Sequence, residues 1–191
     1  IVDWDVHHGN GTQHIFEDDP TVFFFSAHQH PYYPFTGRAT ETGTGPGDGY
    51  TLNVPLPAGC GDEEYETAFR EKLLPSAAWF SPDLLLLSAG FDAHCKDPLA
   101  SMRVTERGFE TLTRMVRRIA EDHCGGRLVS LLEGRVVFWQ RSDGGVLRLE
   151  EVQREAVQVR AKLLVDSAGA PGRPEGTESI SFRGLALELH P

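Results

Sequence analysis

The chain has 191 residues, 40% hydrophobic and 24% charged, with 20 Gly and 12 Pro, an ordinary globular composition long enough for one sizeable core and for one domain or part of one. Its formal charge of -10 argues against a phosphate-backbone binder, which needs clustered Lys and Arg, and no apolar run approaches the roughly 18 residues of a membrane span. Cys60, Cys95 and Cys124 are odd in number and widely spaced, so they form no disulfide framework; small buried thiols in a soluble, cytoplasmic protein are expected, with neither nucleic acid nor membrane as partner.

The chain opens at Ile1 in a strand-like run without an initiator Met, as expected of a fragment whose upstream part is missing. Up to about Glu133, short apolar runs alternate with amphipathic stretches, the pattern of βα units around a parallel sheet. Strands are expected at 1–5, 21–27, 50–56, 83–89 and 127–132. The run from Asp83 to Ala89 is apolar on both faces and belongs in the sheet's interior.

Asp62 precedes an acidic first turn, and Tyr65, Ala68, Phe69 and Leu73 recur at helical spacing, with Pro75 as the expected limit. Thr105 is a fair N-cap for a second helix, in which Phe109, Leu112, Val116 and Ile119 share a face and Arg114, Arg117 and Arg118 lie largely off it. Between Gln29 and Gly49, five Gly and three Pro mark a long loop of the kind that carries function or is disordered. Beyond Glu133 come a short apolar run at 135–139, an amphipathic helix expected over 146–165, a linker-like stretch at 167–179, and a final stretch, 180–189, that is either a strand or a tail.

Chemistry concentrates in Asp3-Trp4-Asp5-Val6-His7-His8-Gly9. In an extended chain Asp3, Asp5 and His7 project to one side, while Trp4, Val6 and His8 take the other. Carboxylates gathered without a cation repel and desolvate one another, so a metal resolves the conflict; a solvated polar turn is the bland alternative. Asp92, just past the Leu84 to Leu87 run, sits at the same sheet edge. Asp5, His7 and Asp92 give two oxygens and one nitrogen and leave a coordination position open. His28, His94 and Asp97 compete on composition alone, with local hydrogen bonding or a turn role as the simpler reading.

The strings DWDVHHGNGT, SAHQHPYYPFTG, GDGYTLNVPLPAG, SAGFDAHCKDPLA and GGRLVSLLEG, in this order, resemble the zinc-dependent histone deacetylase family, particularly its class II and bacterial members. The resemblance covers residues 1 to about 134 and implies an α/β, three-layer arginase/deacetylase-like fold whose N-terminal part is missing. Residues 135–191 then form a divergent tail. It implies zinc held by Asp5, His7 and Asp92. A potassium site would take Asp3 with Asp5, His7 and the backbone at Ser26 and Ala27; a second would take Phe16, Asp19, Val22 and Tyr50. Asp3 and Asn10 would orient catalytic imidazoles, Tyr33 would wall the acyl-lysine tunnel, and Leu99 would stand near its mouth.

The implied chemistry is metal-assisted hydrolysis of acetyl-lysine or of an acetylated polyamine; a noncatalytic metal-binding or interaction fragment is the reading from another class. Three positions depart from the family pattern. The tandem histidines of the family lie upstream of DWDVHHG and are not among these residues. Gly134 is followed by Arg135 rather than by a further glycine and the oxyanion-donating tyrosine, and no Tyr follows Tyr65. Phe35 stands where the family usually has Gly, at a turn where positive φ is expected to matter.

Overall fold

The computed structural model describes residues 1–132, 135–139, 150–151, 178–182 and 185–189, with side chains described through residue 131. Its main sheet has seven strands: β1 (Val2–Asp3), β2 (Phe24–Gln29), β3 (Thr51–Leu56), β4 (Leu85–Ser88), β5 (Leu128–Leu132), β6 (Arg135–Trp139) and β7 (Glu150–Glu151), in the order β3-β2-β1-β4-β5-β6-β7. Strands β1 to β5 run parallel, and β6 and β7 add antiparallel. A separate hairpin pairs β8 (Glu178–Phe182) with β9 (Leu185–Leu189).

Alternation along the strands separates two faces. Val2, Phe25, Leu85 and Leu87 turn to one side, where α2 (Asp62–Ala68), the π-helical segment Phe69–Leu73, α3 (Leu74–Phe80) and α4 (Glu106–His123) bury Tyr65, Phe69, Leu73, Ala77, Leu112 and Val116 against them. Trp4 and Val6 extend this core past the end of β1. On the other face Ser26 pairs in register with Asn53, and both lie buried beneath α1 (Asn10–Phe16), whose Gln13 accepts from Asn53 Nδ2 at 2.7 Å. The chain grows outward from β1 through β2 and β3, crosses back over the helices, and resumes on the other side of β1 with β4 and β5. The point between β1 and β4 is therefore a topological switch, where α/β sheets leave a crevice beyond the carboxyl ends of the strands.

Several expectations change in the structure. Pro75 does not end the helix: a π-helical segment, Phe69–Leu73, runs into α3, which carries Pro75 in its first turn. The widened turn removes the clash of the proline ring with the preceding carbonyls. Asp62 opens α2 rather than preceding it; Glu64 accepts from Gly61 N instead, and Asp62 reaches across to Thr105 N and Oγ1 at 2.7 and 2.6 Å. Thr105 caps α4 as expected, accepting from Gly108 N. β2 begins only at Phe24, because Asp19 Oδ1 accepts from Thr21 N and Oγ1 and holds a turn there. β4 lies inside the sheet, yet Leu86 and Ser88 are only half-buried.

In the last third, Glu150–Glu151 is a strand where a helix over 146–165 is expected; the rest of that helix lies outside the described residues. The stretch 180–189 falls within the β8–β9 hairpin, and the linker-like stretch yields its last two residues, 178 and 179, to β8. Residues 167–177 lie outside the described residues.

Candidate metal centre

Asp5 and His7 follow β1, and Asp92 follows β4, so the switch point itself gathers them. One ligand atom from each lies within 4.8 Å of the others, and among the described residues no other trio of His, Cys, Asp or Glu does so. His7 Nδ1 sits 3.1 Å from Asp5 Oδ1 and 2.9 Å from Asp92 Oδ2. Backbone donors fix both carboxylates: His7 N donates to Asp5 Oδ1 at 2.8 Å and Val6 N to Asp92 Oδ1 at 2.9 Å. Behind them the buried Asp3 accepts from Asp5 N at 3.0 Å.

Electrostatics favour a cation here. Burial, and then the charge of Asp5, push the Asp3 carboxyl well above the ordinary carboxylate range. Burial also raises Asp92, with Asp5 adding to the rise and the Val6 N–H opposing it. Three carboxylates are thus held together at the carboxyl ends of β1 and β4 against their mutual repulsion, and a divalent ion between Asp5, His7 and Asp92 would relieve it. Oxygen and nitrogen donors of this kind suit zinc and leave room for another ligand.

The strand alternation brings Asp3, Asp5 and His7 together but misplaces His8. β1 ends at Asp3, and the backbone then turns on the Asp3 and Asp5 carboxylates. His8 consequently leaves the Trp4 and Val6 side, packs beside Phe24 and 4.7 Å from the His28 ring, and pairs with Gln13 Oε1 and Thr36 Oγ1. His28 is buried between Ser26 Oγ and Gly37 O, with burial, and then His8, lowering its imidazole to about 4. His94 stacks on Phe109 and faces Glu106; Asp97 accepts from Leu99 N and Ala100 N.

Asp3 is in register with Ser26, and Ala27 follows it in β2. Phe16 ends α1, and Asp19 and Val22 lie in the turn after it, where Asp19 N donates to Phe16 O and Val22 N to Asp19 O; Tyr50 O accepts from Phe24 N. Asn10 is exposed at the start of α1. Tyr33 stands edge-on to His7 with ring centres 6.3 Å apart, and Leu99 is exposed.

Four residues at the site escape sequence reasoning. A Cβ at Gly90 would lie 2.1 Å from Asp5 Oδ2, and one at Gly9 2.4 Å from Asp3 Oδ2, so both glycines let the chain close on a carboxylate. A glycine at a strand's carboxyl end is the available cue for such close approach. Tyr32 stacks on His7 at 5.3 Å and donates from its hydroxyl to Leu99 O at 2.9 Å. Glu41 accepts from Gly37 N, Arg38 N and Gln13 Nε2, tying down the long loop; nothing in its sequence neighbourhood marks it.

Fold and site together define an α/β protein with a candidate divalent-metal centre at the switch point of a parallel sheet. The histone deacetylase domain model matches residues 1–135. Histone deacetylase 14, chloroplastic, of Arabidopsis thaliana is 49% identical over 134 residues, 70% of this chain and 32% of that protein. A probable deacetylase of Archaeoglobus fulgidus is 50% identical over 134 residues, 70% of this chain and 37% of that protein. Among solved structures, the HDA15 HD domain superposes with a TM-score of 0.63 at 45% identity, covering 69% of this chain and 37% of that one. The histone deacetylase Clr3 gives 0.64 at 40% identity, with 69% and 22% covered. The chain belongs to the histone deacetylase family, has its α/β deacetylase fold, and spans about a third of the length of the curated relatives it matches.

Proposed function

We propose that this chain carries the metal-binding part of a zinc-dependent deacetylase site for acetyl-lysine or a related acetylated amine, in a cytoplasmic protein. The convergence of Asp5, His7 and Asp92 within 4.8 Å is the observation that supports this reading. These three would hold the zinc, which when bound supplies a Lewis acid for the acyl carbonyl and for the attacking water.

The chain's own residues do the positioning. The Val6 and His7 N–H groups aim the two carboxylates, and Tyr32 holds the His7 ring flat against its own. Asp3, buried behind Asp5, would share potassium with Asp5, His7 and the backbone at Ser26 and Ala27, orienting the ligands and moderating their charge. The second potassium is assigned to Phe16, Asp19, Val22 and Tyr50. Asp3 and Asn10 would steady catalytic imidazoles, Tyr33 would line the acyl-lysine passage, and Leu99 its mouth.

Taken alone, these residues should turn over substrate poorly. One oxyanion donor contributes roughly 3 to 4 kcal/mol, and within these residues no Tyr follows Tyr65. Zinc titration of the purified chain and of Asp92→Asn, with an acetyl-lysine peptide assay, tests the proposal. Tight binding lost in Asp92→Asn, with slow turnover, is expected. Zinc binding indifferent to Asp92→Asn would remove the site, and fast chelator-sensitive turnover would remove the claim of impairment.

A further inference from the structure

The turn after Tyr33 holds a strained residue that packing does not explain. Phe35 has φ 66°, in the left-handed region that is open to Gly and unfavourable for a bulky side chain. The residue is 69% exposed, and its aromatic contact is an edge of Tyr33 at 6.5 Å. The backbone on both sides imposes the conformation. Phe35 N donates to Tyr32 O, Thr36 Oγ1 pairs with the buried His8, and Gly37 N and Arg38 N donate to Glu41. Gly would fit the turn without strain, and a Phe side chain here adds little to the core. Conformational strain that persists without a packing reward points to a use at the surface.

The position narrows that use. Tyr33 stands edge-on to His7, and Phe35 stands edge-on to Tyr33, so Phe35 lies one ring further from the metal centre. Tyr33 thus links Phe35 to His7, and Tyr33 is exposed as Phe35 is. We propose that Phe35 is a specificity-determining residue whose ring receives a bulky apolar side chain next to the acetylated lysine of a peptide. An acetylated polyamine has no such side chain, so the inference also selects peptide substrates within the deacetylase reading on which it rests.

The test uses the full zinc-loaded chain and three fluorescent peptides: acetyl-lysine flanked by Leu, acetyl-lysine flanked by Ser, and the Leu peptide without the acetyl group. Anisotropy titration should show roughly tenfold tighter binding of the Leu-flanked than of the Ser-flanked acetyl peptide. Phe35→Gly should reduce that ratio to about twofold or less, with zinc affinity unchanged and resistance to denaturant at least equal. Phe35→Leu, which keeps an apolar rim, should retain part of the preference. An undiminished ratio in Phe35→Gly, or no preference in the parent chain, overturns the inference while leaving the deacetylase reading intact. Failure to bind zinc, or equal binding of the acetylated and unacetylated Leu peptides, overturns that reading and the inference together.

Discussion

Replacing Gly90 by Ala probes the candidate metal centre without removing any of its proposed ligands. The new Cβ would lie 2.1 Å from Asp5 Oδ2, 2.6 Å from its Cγ and 2.8 Å from its Cβ. Non-bonded carbon contacts settle at about 3.5–4.0 Å, so the Asp5 carboxylate must retreat by more than about 1 Å. Metal–ligand distances tolerate about 0.2 Å, and the displaced carboxylate takes its bonds to His7 N and toward His7 Nδ1 with it. Disturbing a ligand's support alone weakens metal binding by about 10–100-fold. Loss of Asp5 with loosening of His7 should therefore reach at least about 100-fold, or about 2.7 kcal/mol.

The backbone at Gly90 is outside the left-handed region, so Ala is conformationally allowed and the fold should survive. Competition against a chromophoric chelator gives the zinc affinity, and a denaturant melt gives the stability. Gly11→Ala is the control, because nothing lies within 4 Å of a Cβ there; it should leave zinc affinity unchanged. A folded Gly90→Ala chain with parental affinity would refute the placement of Asp5 among the ligands.

Three further outcomes are expected. Burial works to raise the Glu41 carboxyl, but N–H donors from Arg38, Gln13 and Gly37 outweigh it and hold the group below its ordinary 4.5. Its contribution is thus present above that pH and lost as the solution is acidified through the depressed value. Glu41→Gln should flatten this acid limb in denaturation measured from pH 7 to 3 and cost about 1–2 kcal/mol at neutrality. Tyr32→Phe keeps the ring on His7 but frees Leu99 O, so hydrogen exchange should quicken around residues 97–101 while zinc affinity stays put. Thr105→Ala removes the α4 cap and the hydroxyl bond to Asp62 Oδ2 together, leaving the Thr105 N bond to Asp62 Oδ1, and should lower stability by about 1–2 kcal/mol in urea melts.

Much of this fold is legible because apolar spacing is a local property that burial then enforces. Phe109, Leu112, Val116 and Ile119 recur on one helical face and are all buried. Where local rules compete, tertiary structure decides: Pro75 is a helix breaker in isolation, yet the π-helical turn before it accommodates the ring within a helix already buried through Phe69 and Leu73. Alternation identifies Asp5 and His7 although the strand stops at Asp3, since the turn that replaces it is built on side-chain acceptors at the same alternate positions. His8 escapes because it comes after that turn, where a period of two no longer applies. Gly90, Tyr32 and Glu41 are hidden because each acts on a group brought near by folding rather than by spacing.

Asp92 shows how the core governs the chemistry. It lies 86 residues beyond Val6, yet its Oδ1 accepts the Val6 N–H. What joins them is the pairing of β1 with β4, with Val2 opposite Leu87 and Asp3 opposite Ser88. Val2 and Leu87 are buried in the same cluster as Trp4 and Val6. A slip of one residue between these strands would turn Trp4 and Val6 toward the crevice and drive Asp5 into the core. Burying such a carboxylate without a partner costs several kcal/mol, and the apolar faces would lose their packing besides. The hydrophobic register that stabilises the sheet is thereby also what brings Asp5, His7 and Asp92 around one point, where the Val6 and His7 N–H groups then aim the carboxylates.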